Sequence, residues 1–145
     1  MTIFEELRAD HDKQRAVVCR IEETQGDEPE RRDLFSQLKL QLHHHATAEE
    51  RHFYAPLIEH DATVEMSRHG IAEHHELDEL LAELDEMDMA SSGWLRRFGA
   101  LKDKMLHHFE DEELSFFQRA GKIFDEQQKN QLGKAYRDEM DNHGI

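Results

Sequence analysis

The sequence predicts an all-α protein: an up-down four-helix bundle followed by a short fifth helix. The 145 residues include only 2 prolines and 7 glycines, so few residues interrupt a helix. Apolar residues recur at three- and four-residue steps in four long segments, which is the helical period. No segment alternates with the period of two expected of a strand. Four amphipathic helices joined by short loops pack most simply as an up-down bundle.

Glycine, proline and short polar residues separate these segments. The breaks fall at 26–29, at Pro56 followed by 60–63, at 89–93 and at Gly121. The length fits one domain. We therefore expect a single domain, residues 1–145, whose bundle covers about residues 2–121 and whose polar tail helix covers about residues 125–141.

Composition limits the partners of the chain. Lysine and arginine number 18 against 33 acidic residues, a formal charge of −15. Nucleic acid and anionic membrane surfaces both require a basic protein surface, so neither is an expected partner. There is no apolar signal region and no apolar run long enough to span a bilayer, which predicts a cytoplasmic protein. The single cysteine, Cys19, excludes an internal disulfide, and we expect it in the core of the first helix.

The second and fourth predicted helices repeat one another at one constant shift, which carries His45 onto His108. The shared string is His-x-x-x-Glu-Glu-x-x-Phe followed by an aromatic residue, and it begins at these two histidines. The same shift, called the repeat shift below, places His11 on His74, each preceded by an alanine and an acidic residue. Agreement across two helix pairs at one shift predicts a duplicated helical hairpin with approximate two-fold symmetry.

The repeated histidines and glutamates lie on the apolar faces of their helices. Residues four apart point in nearly the same direction, about 40° apart around the axis. His45 and Glu49 therefore share the stripe of Leu42, and His108 and Glu112 share that of Met105. Four imidazoles and two carboxylates are expected to converge inside the bundle: His11, His45, His74, His108, Glu49 and Glu112.

Two buried carboxylates require positive charge, because each ion loses several kcal/mol of hydration on burial. Neutral histidines cannot supply that charge, whereas two divalent cations can. Imidazole and carboxylate together suit iron, manganese or zinc. We therefore predict a dinuclear metal site, with a metal-free polar core as the alternative. The spacing is neither the His-Glu-x-x-His of zinc proteases nor the Glu-x-x-His of ferritin-like bundles.

Other polar residues near these stripes have open assignments. His52 lies seven residues after His45 and could be a fifth ligand or a hydrogen-bond donor behind one. Glu50 and Glu113 point roughly 100° away from their neighbours, which favours the surface, although either could bond to a ligand histidine. Tyr54 is expected to pack at the end of the bundle, and so is Phe117.

At these residues the sequence resembles the hemerythrin-like domains, the HHE cation-binding family. The motifs are Ala-Asp-His11, His45-Ala-Thr-Ala-Glu49-Glu50, Ala-Glu-His74 and His108-Phe-Glu-Asp-Glu112-Glu113. The resemblance covers the chain from about residue 2 to Gly121. It implies a non-haem di-iron centre bridged by two carboxylates and an oxo or hydroxo group. The four histidines would then be terminal ligands, and Glu49 and Glu112 would be the bridges.

One departure bears on function. The oxygen-carrying members have a further histidine one turn before the third-helix ligand, and this chain has Gly70 there. More open metal positions favour chemistry with external ligands over reversible oxygen carriage. We expect a binding protein for dioxygen, nitric oxide or iron, in sensing, storage or stress response. A di-iron enzyme acting on peroxide, or a structural domain holding zinc, is the alternative. The expected partners are metal ions and a small diatomic ligand or peroxide.

Overall fold

The computed structural model describes residues 1–145, which form five helices and no strand. The helices are α1 (Ile3–Glu22), α2 (Pro29–Glu49), α3 (Val64–Glu86), α4 (Ser92–Asp111) and α5 (Glu126–Asn142). Beyond these bounds α2 and α4 each continue through a π-helical turn and a last α-helical turn, at Glu50–Tyr54 and Ala55–Leu57 and at Glu112–Phe116 and Phe117–Gly121. The all-α prediction is confirmed. None of the helices is both long and apolar enough to cross a membrane.

The helix ends follow the local chemistry of the sequence. Thr2 caps α1 by accepting from the backbone N–H of Glu5, whose side chain accepts from the N–H of Thr2 in return. Pro29, whose fixed φ suits a first helical position, begins α2. The extension of α2 ends one residue after Pro56 and that of α4 ends at Gly121, close to the predicted breaks.

Two apolar clusters fill the interior of the bundle. Along each of α2, α3 and α4, the candidate metal ligands lie between residues of the first apolar cluster and residues of the second. Apolar side chains therefore flank the ligands on both sides along each helix. Such surroundings exclude water and make charged groups costly. The largest fully buried side chains of the two clusters are Trp94, Phe35, Phe98 and Phe109 in the first and Tyr54, Tyr136 and Phe53 in the second.

The fifth helix is part of the packed interior. Tyr136 and Met140 are fully buried, and α5 packs against α1 and α2. Gly133 lies so close to the start of α1 that a Cβ there would come within 2.5 Å of the carbonyl oxygen of Met1. The tail helix, predicted as a polar extension, therefore docks closely against the N-terminal helix.

The prediction that Cys19 is a core residue is wrong, because the side chain is exposed. On a helix Cys19 lies about 100° from Val18 and about 160° from Ile21, both of which are buried. Val18 and Ile21 lie on the apolar face of α1. Cys19 lies off that face and therefore points toward solvent.

Candidate metal centre

The six residues that the sequence singles out lie together at the centre of the bundle. Each is at most 5% exposed. Their ligand atoms form two groups, and within each group the atoms lie within 4.8 Å of one another. Glu49 and Glu112 belong to both groups, which are His11, His45, Glu49 and Glu112, and Glu49, His74, His108 and Glu112.

Four helices supply these side chains. His11 comes from α1 and His74 from α3, whereas α2 and α4 each supply a histidine and, four residues later, a glutamate. A π-helical turn follows Glu49, and a second begins at Glu112. Such wider turns inside α-helices are frequent at functional sites. Here they lie directly at both inward-facing carboxylates.

The polar atoms at the centre of this cluster have no hydrogen-bond partner. They are the Nε2 atoms of the four histidines, both carboxylate oxygens of Glu49 and Oε1 of Glu112. Some of these atoms lie close together although they do not form hydrogen bonds. Nε2 of His74 lies 2.9 Å from Oε1 of Glu49, and Nε2 of His11 lies 3.1 Å from Oε1 of Glu112. Folded proteins leave few buried polar atoms unpaired. Seven in one place, all of them metal-ligand types, fit a site for cations.

The opposite nitrogen of each imidazole is held by a specific partner. Nδ1 of His11 lies 2.6 Å from Oε2 of Glu113, and Nδ1 of His74 lies 2.7 Å from Oε2 of Glu50. Nδ1 of His108 lies 2.8 Å from Oε1 of Glu73. Nδ1 of His45 lies 2.6 Å from the hydroxyl of Tyr136. These acceptors favour a proton on Nδ1, which leaves the lone pair of Nε2 directed at the centre.

Glu50 and Glu113 therefore contact the outer nitrogens of His74 and His11. A bond to a ligand histidine was one of the two roles that the sequence allowed for them, the other being a surface position. Glu113 is 19% exposed and Glu50 37%, so neither carboxylate is fully solvated. His52 joins neither group of ligand atoms, and its Nε2 instead lies 2.9 Å from Glu139 on α5.

Sequence reasoning missed two of the residues that hold imidazoles, Glu73 and Tyr136. The acidic residue before each histidine was a signal for the first, since Asp10 precedes His11 as Glu73 precedes His74. Tyr136 carried no comparable signal, because it lies in the tail helix, outside the repeat.

The expectation that Tyr54 packs at the end of the bundle is wrong, because its side chain lies against the centre. Its hydroxyl donates to Oε2 of Glu112 at 2.5 Å. The phenol also fills the space beside Gly70, where an added Cβ would overlap the Tyr54 oxygen. The aromatic hydroxyl of Tyr54 thus occupies the space beside Gly70.

The charges of the metal-free cluster are strongly redistributed. Burial and the neighbouring Glu112 raise the pKa of Glu49 well above its usual value. Burial acts in the same direction on Glu112, but His108 and His11 hold the pKa of that carboxyl well below its usual value. Burial lowers the pKa of His108, yet Glu112 and Glu73 outweigh it and raise that pKa to about 9. Without metal, these shifts favour the neutral form of Glu49 and the charged form of His108, which lies beside Glu112.

This arrangement can be compared with known proteins. The sequence model of the hemerythrin HHE cation binding domain matches residues 2–120. The chain belongs to the hemerythrin HHE cation-binding family. All six candidate ligands lie inside the matched residues, whereas Tyr136 lies beyond them.

A solved structure has the same fold as this hemerythrin-family chain. It is the crystal structure of a hemerythrin HHE cation binding domain-containing protein from Mycobacterium kansasii, with a TM-score of 0.89 and 20% sequence identity. The similarity covers 98% of this chain and 86% of that one. A search of curated protein sequences found no significant match.

Proposed function

We propose that the chain is a hemerythrin-type protein that holds two metal ions, one in each group of ligand atoms, with Glu49 and Glu112 shared between them. The set of seven unpartnered, buried ligand atoms carries this proposal. Two shared carboxylates and four inward-facing Nε2 atoms match the donors that a bridged pair of ions needs. His11 and His45 would be the terminal ligands of one ion, and His74 and His108 those of the other.

Charge supports the same assignment. Glu49 and Glu112 are fully buried, and burying both as anions costs several kcal/mol each unless positive charge is close by. In the metal-free protein this conflict raises the pKa of Glu49 well above its usual value. Two dications would remove the conflict and allow both carboxylates to ionise.

We propose iron as the metal, with manganese and zinc as alternatives because they accept the same donors. Two imidazoles and two shared carboxylates leave coordination positions open on each ion. Open positions suit an external ligand, and we propose dioxygen, nitric oxide or peroxide. Binding of such a ligand, or of iron itself, would serve sensing, storage or the response to stress.

The protein's own residues would tune this site. Glu113, Glu50 and Glu73 accept from Nδ1 of three histidines and so increase the donor strength of the opposite nitrogen. Tyr54 donates a hydrogen bond to Glu112, with its phenol oxygen 2.5 Å from an oxygen of this shared carboxylate. A reduced iron pair would supply electrons to a bound oxidant, and the apolar side chains around the site would keep bulk water away.

Metal analysis tests the proposal. Protein purified from iron-replete cells should contain about two metal ions per chain, measured by elemental mass spectrometry. Ferrous loading followed by air should give near-ultraviolet charge-transfer absorption from a ferric pair. One ion or fewer per chain, with no such absorption, would exclude the dinuclear centre.

The open positions also favour the alternative of a peroxide-consuming enzyme. Turnover of hydrogen peroxide by the iron-loaded protein can be compared with that of metal-free and zinc-loaded protein. Equal rates in all three would eliminate the enzymatic alternative. A large rate for the iron form alone would replace the binding function with a catalytic one.

We also propose that helices α1 to α4 form an up-down bundle built from a duplicated hairpin. The support is the repeat shift together with the outer hydrogen bonds. Glu113 holds His11 as Glu50 holds His74, and each pair maps onto the other under that shift.

A further inference from the structure

A small cavity lies against the candidate metal centre, between α2, α3 and α4. Its volume is about 10 Å³, which is room for about one water-sized molecule. Three of the four candidate imidazoles border it, those of His45, His74 and His108. The other walls are mostly apolar: Leu42, Ala46, Leu77, Asp78 and Phe109.

A surface groove of about 120 Å³ lies next to this cavity. Ala46, His74 and Asp78 line both volumes. His74 is buried, Ala46 is half-buried and Asp78 is exposed. The other residues of the groove are polar and come from α2, its extension and α3: His43, Thr47, Glu50 and His75. Ala46, His74 and Asp78 therefore form the boundary between the groove and the cavity.

One wall of the cavity is an aromatic ring that also covers a candidate ligand of α1. Phe109 stacks on the imidazole of His11, with ring centroids 3.9 Å apart and an angle of 11° between the planes. The repeat shift pairs Phe109 with Ala46 and His11 with His74. Phe109 covers His11 with a ring. At the corresponding position of the other half of the repeat, Ala46 has only a methyl group. The cavity lies at this second position.

We propose that the groove and the cavity are the route by which a small ligand reaches the metal held by His74 and His108. This inference rests on the dinuclear centre proposed above. The cavity has room for about one water-sized molecule, so only the smallest ligands fit, and its apolar walls favour an uncharged one. Glu50 and Asp78 at the mouth disfavour anions. The ligand class is therefore a neutral diatomic or hydrogen peroxide, and larger hydroperoxides are excluded.

Filling the cavity tests the route. Ala46→Phe should slow the association of nitric oxide with the ferrous protein by roughly tenfold or more, because the added ring would fill the cavity that Ala46 lines. Stopped-flow absorption measures the rate, and elemental analysis verifies that about two irons remain. Ala72→Phe adds the same ring to an exposed position of α3 and should leave the rate unchanged. An unchanged rate in Ala46→Phe with full iron content overturns the route.

A second variant and a measurement without iron keep the test decisive. If Ala46→Phe fails to fold, Asp78→Phe alters the mouth at an exposed position and should also slow nitric oxide binding. Crystals of the wild-type protein under xenon should hold one xenon atom beside His74. Absence of xenon there overturns the inference whatever the metal content. Xenon binding in a protein that holds no metal would instead contradict only the dinuclear centre.

Discussion

The hydroxyl of Tyr136 lies 2.6 Å from Nδ1 of His45, which brings the fifth helix into contact with the candidate metal centre. The same hydroxyl donates to Asp10 at 2.5 Å. In the other half of the repeat Glu73 reaches His108 directly, at 2.8 Å. Asp10 and Glu73 correspond under the repeat shift, and the aspartate is one methylene shorter. The phenol therefore completes a connection that the longer side chain makes alone.

Removal of that hydroxyl should weaken one metal position more than the other. Tyr136→Phe leaves the buried Nδ1–H of His45 without an acceptor, a loss of about 1–3 kcal/mol. Outer partners of metal-bound histidines typically contribute 10–100-fold in affinity, and we expect a loss of about that size for the ion held by His11 and His45. Competition with a zinc chelator measures the two binding steps separately. Lys134→Ala, on the exposed side of α5, is the control, and two unaffected steps in Tyr136→Phe would contradict the role assigned to the phenol.

The two adjacent glutamates at the end of α2 should have different effects on metal content. Glu49→Ala removes a carboxylate that belongs to both groups of ligand atoms, so both ions should be lost. Glu50→Ala removes only the partner of His74 Nδ1, so metal should remain but bind more weakly. Elemental analysis after gel filtration measures the difference. Equal losses in the two variants would show that the carboxylates do not have these separate roles.

Metal binding should release protons near neutral pH. In the metal-free protein the pKa of His108 is raised to about 9, so this imidazole is charged at pH 7, and the pKa of Glu49 is raised well above its usual value, which favours its neutral form. Ligands must lose those protons to bind a cation. At least one proton should therefore leave as the pair of ions binds, and affinity should rise with pH until the His108 proton is lost near pH 9.

Calorimetry with zinc measures this release. The apparent binding enthalpy should differ between phosphate and Tris buffers in proportion to the number of protons transferred. The same enthalpy in both buffers would mean that Glu49 and His108 are already deprotonated in the metal-free protein. Glu139→Gln changes a carboxylate that contacts His52 rather than the centre, and it should leave the proton count unchanged.

The ligand set was predictable from sequence because its geometry is local. His45 and Glu49 lie four residues apart on one helix, as do His108 and Glu112, and helical geometry alone puts each pair on one face. The apolar neighbours identify that face as the inner one. The repeat then points to the corresponding histidines on the two other helices. The all-helical fold follows from the same periodicity.

The residues behind the ligands could not be predicted in the same way. Tyr136 lies 91 positions from His45, and no local pattern relates the two. Tyr54 contacts Glu112 because the π-helical turn and the missing side chain of Gly70 leave room for a phenol. Such contacts depend on how helices rotate and pack against one another, which hydrophobic periodicity does not determine.

A side chain at position 70 should disturb Tyr54. In Gly70→Ala the new methyl group would overlap the phenol oxygen, so Tyr54 must move and its bond to Glu112 must break. We expect a loss of about 1–3 kcal/mol in the free energy of unfolding. In a Tyr54→Leu background the same substitution should cost much less, since the phenol is absent. Urea denaturation of the four proteins gives this coupling, and equal costs in both backgrounds would contradict the contact.

Gly133 offers a test of whether the fifth helix stabilises the metal centre. A Cβ at this position would lie 2.5 Å from the carbonyl oxygen of Met1 and 2.7 Å from the carbonyl carbon of Thr2. Those atoms belong to the backbone and cannot rotate away as a side chain could, so Gly133→Ala should force α5 off the start of α1. Because α5 carries Tyr136, the displacement should lower both thermal stability and zinc affinity at the position of His45.

Gly99→Ala, in α4, is the control for this prediction. A Cβ there meets no atom within 4 Å, so the substitution should stabilise the protein slightly or have no effect. A Gly133→Ala variant that melts and binds zinc as the wild type does would mean that the docking of α5 does not support the centre.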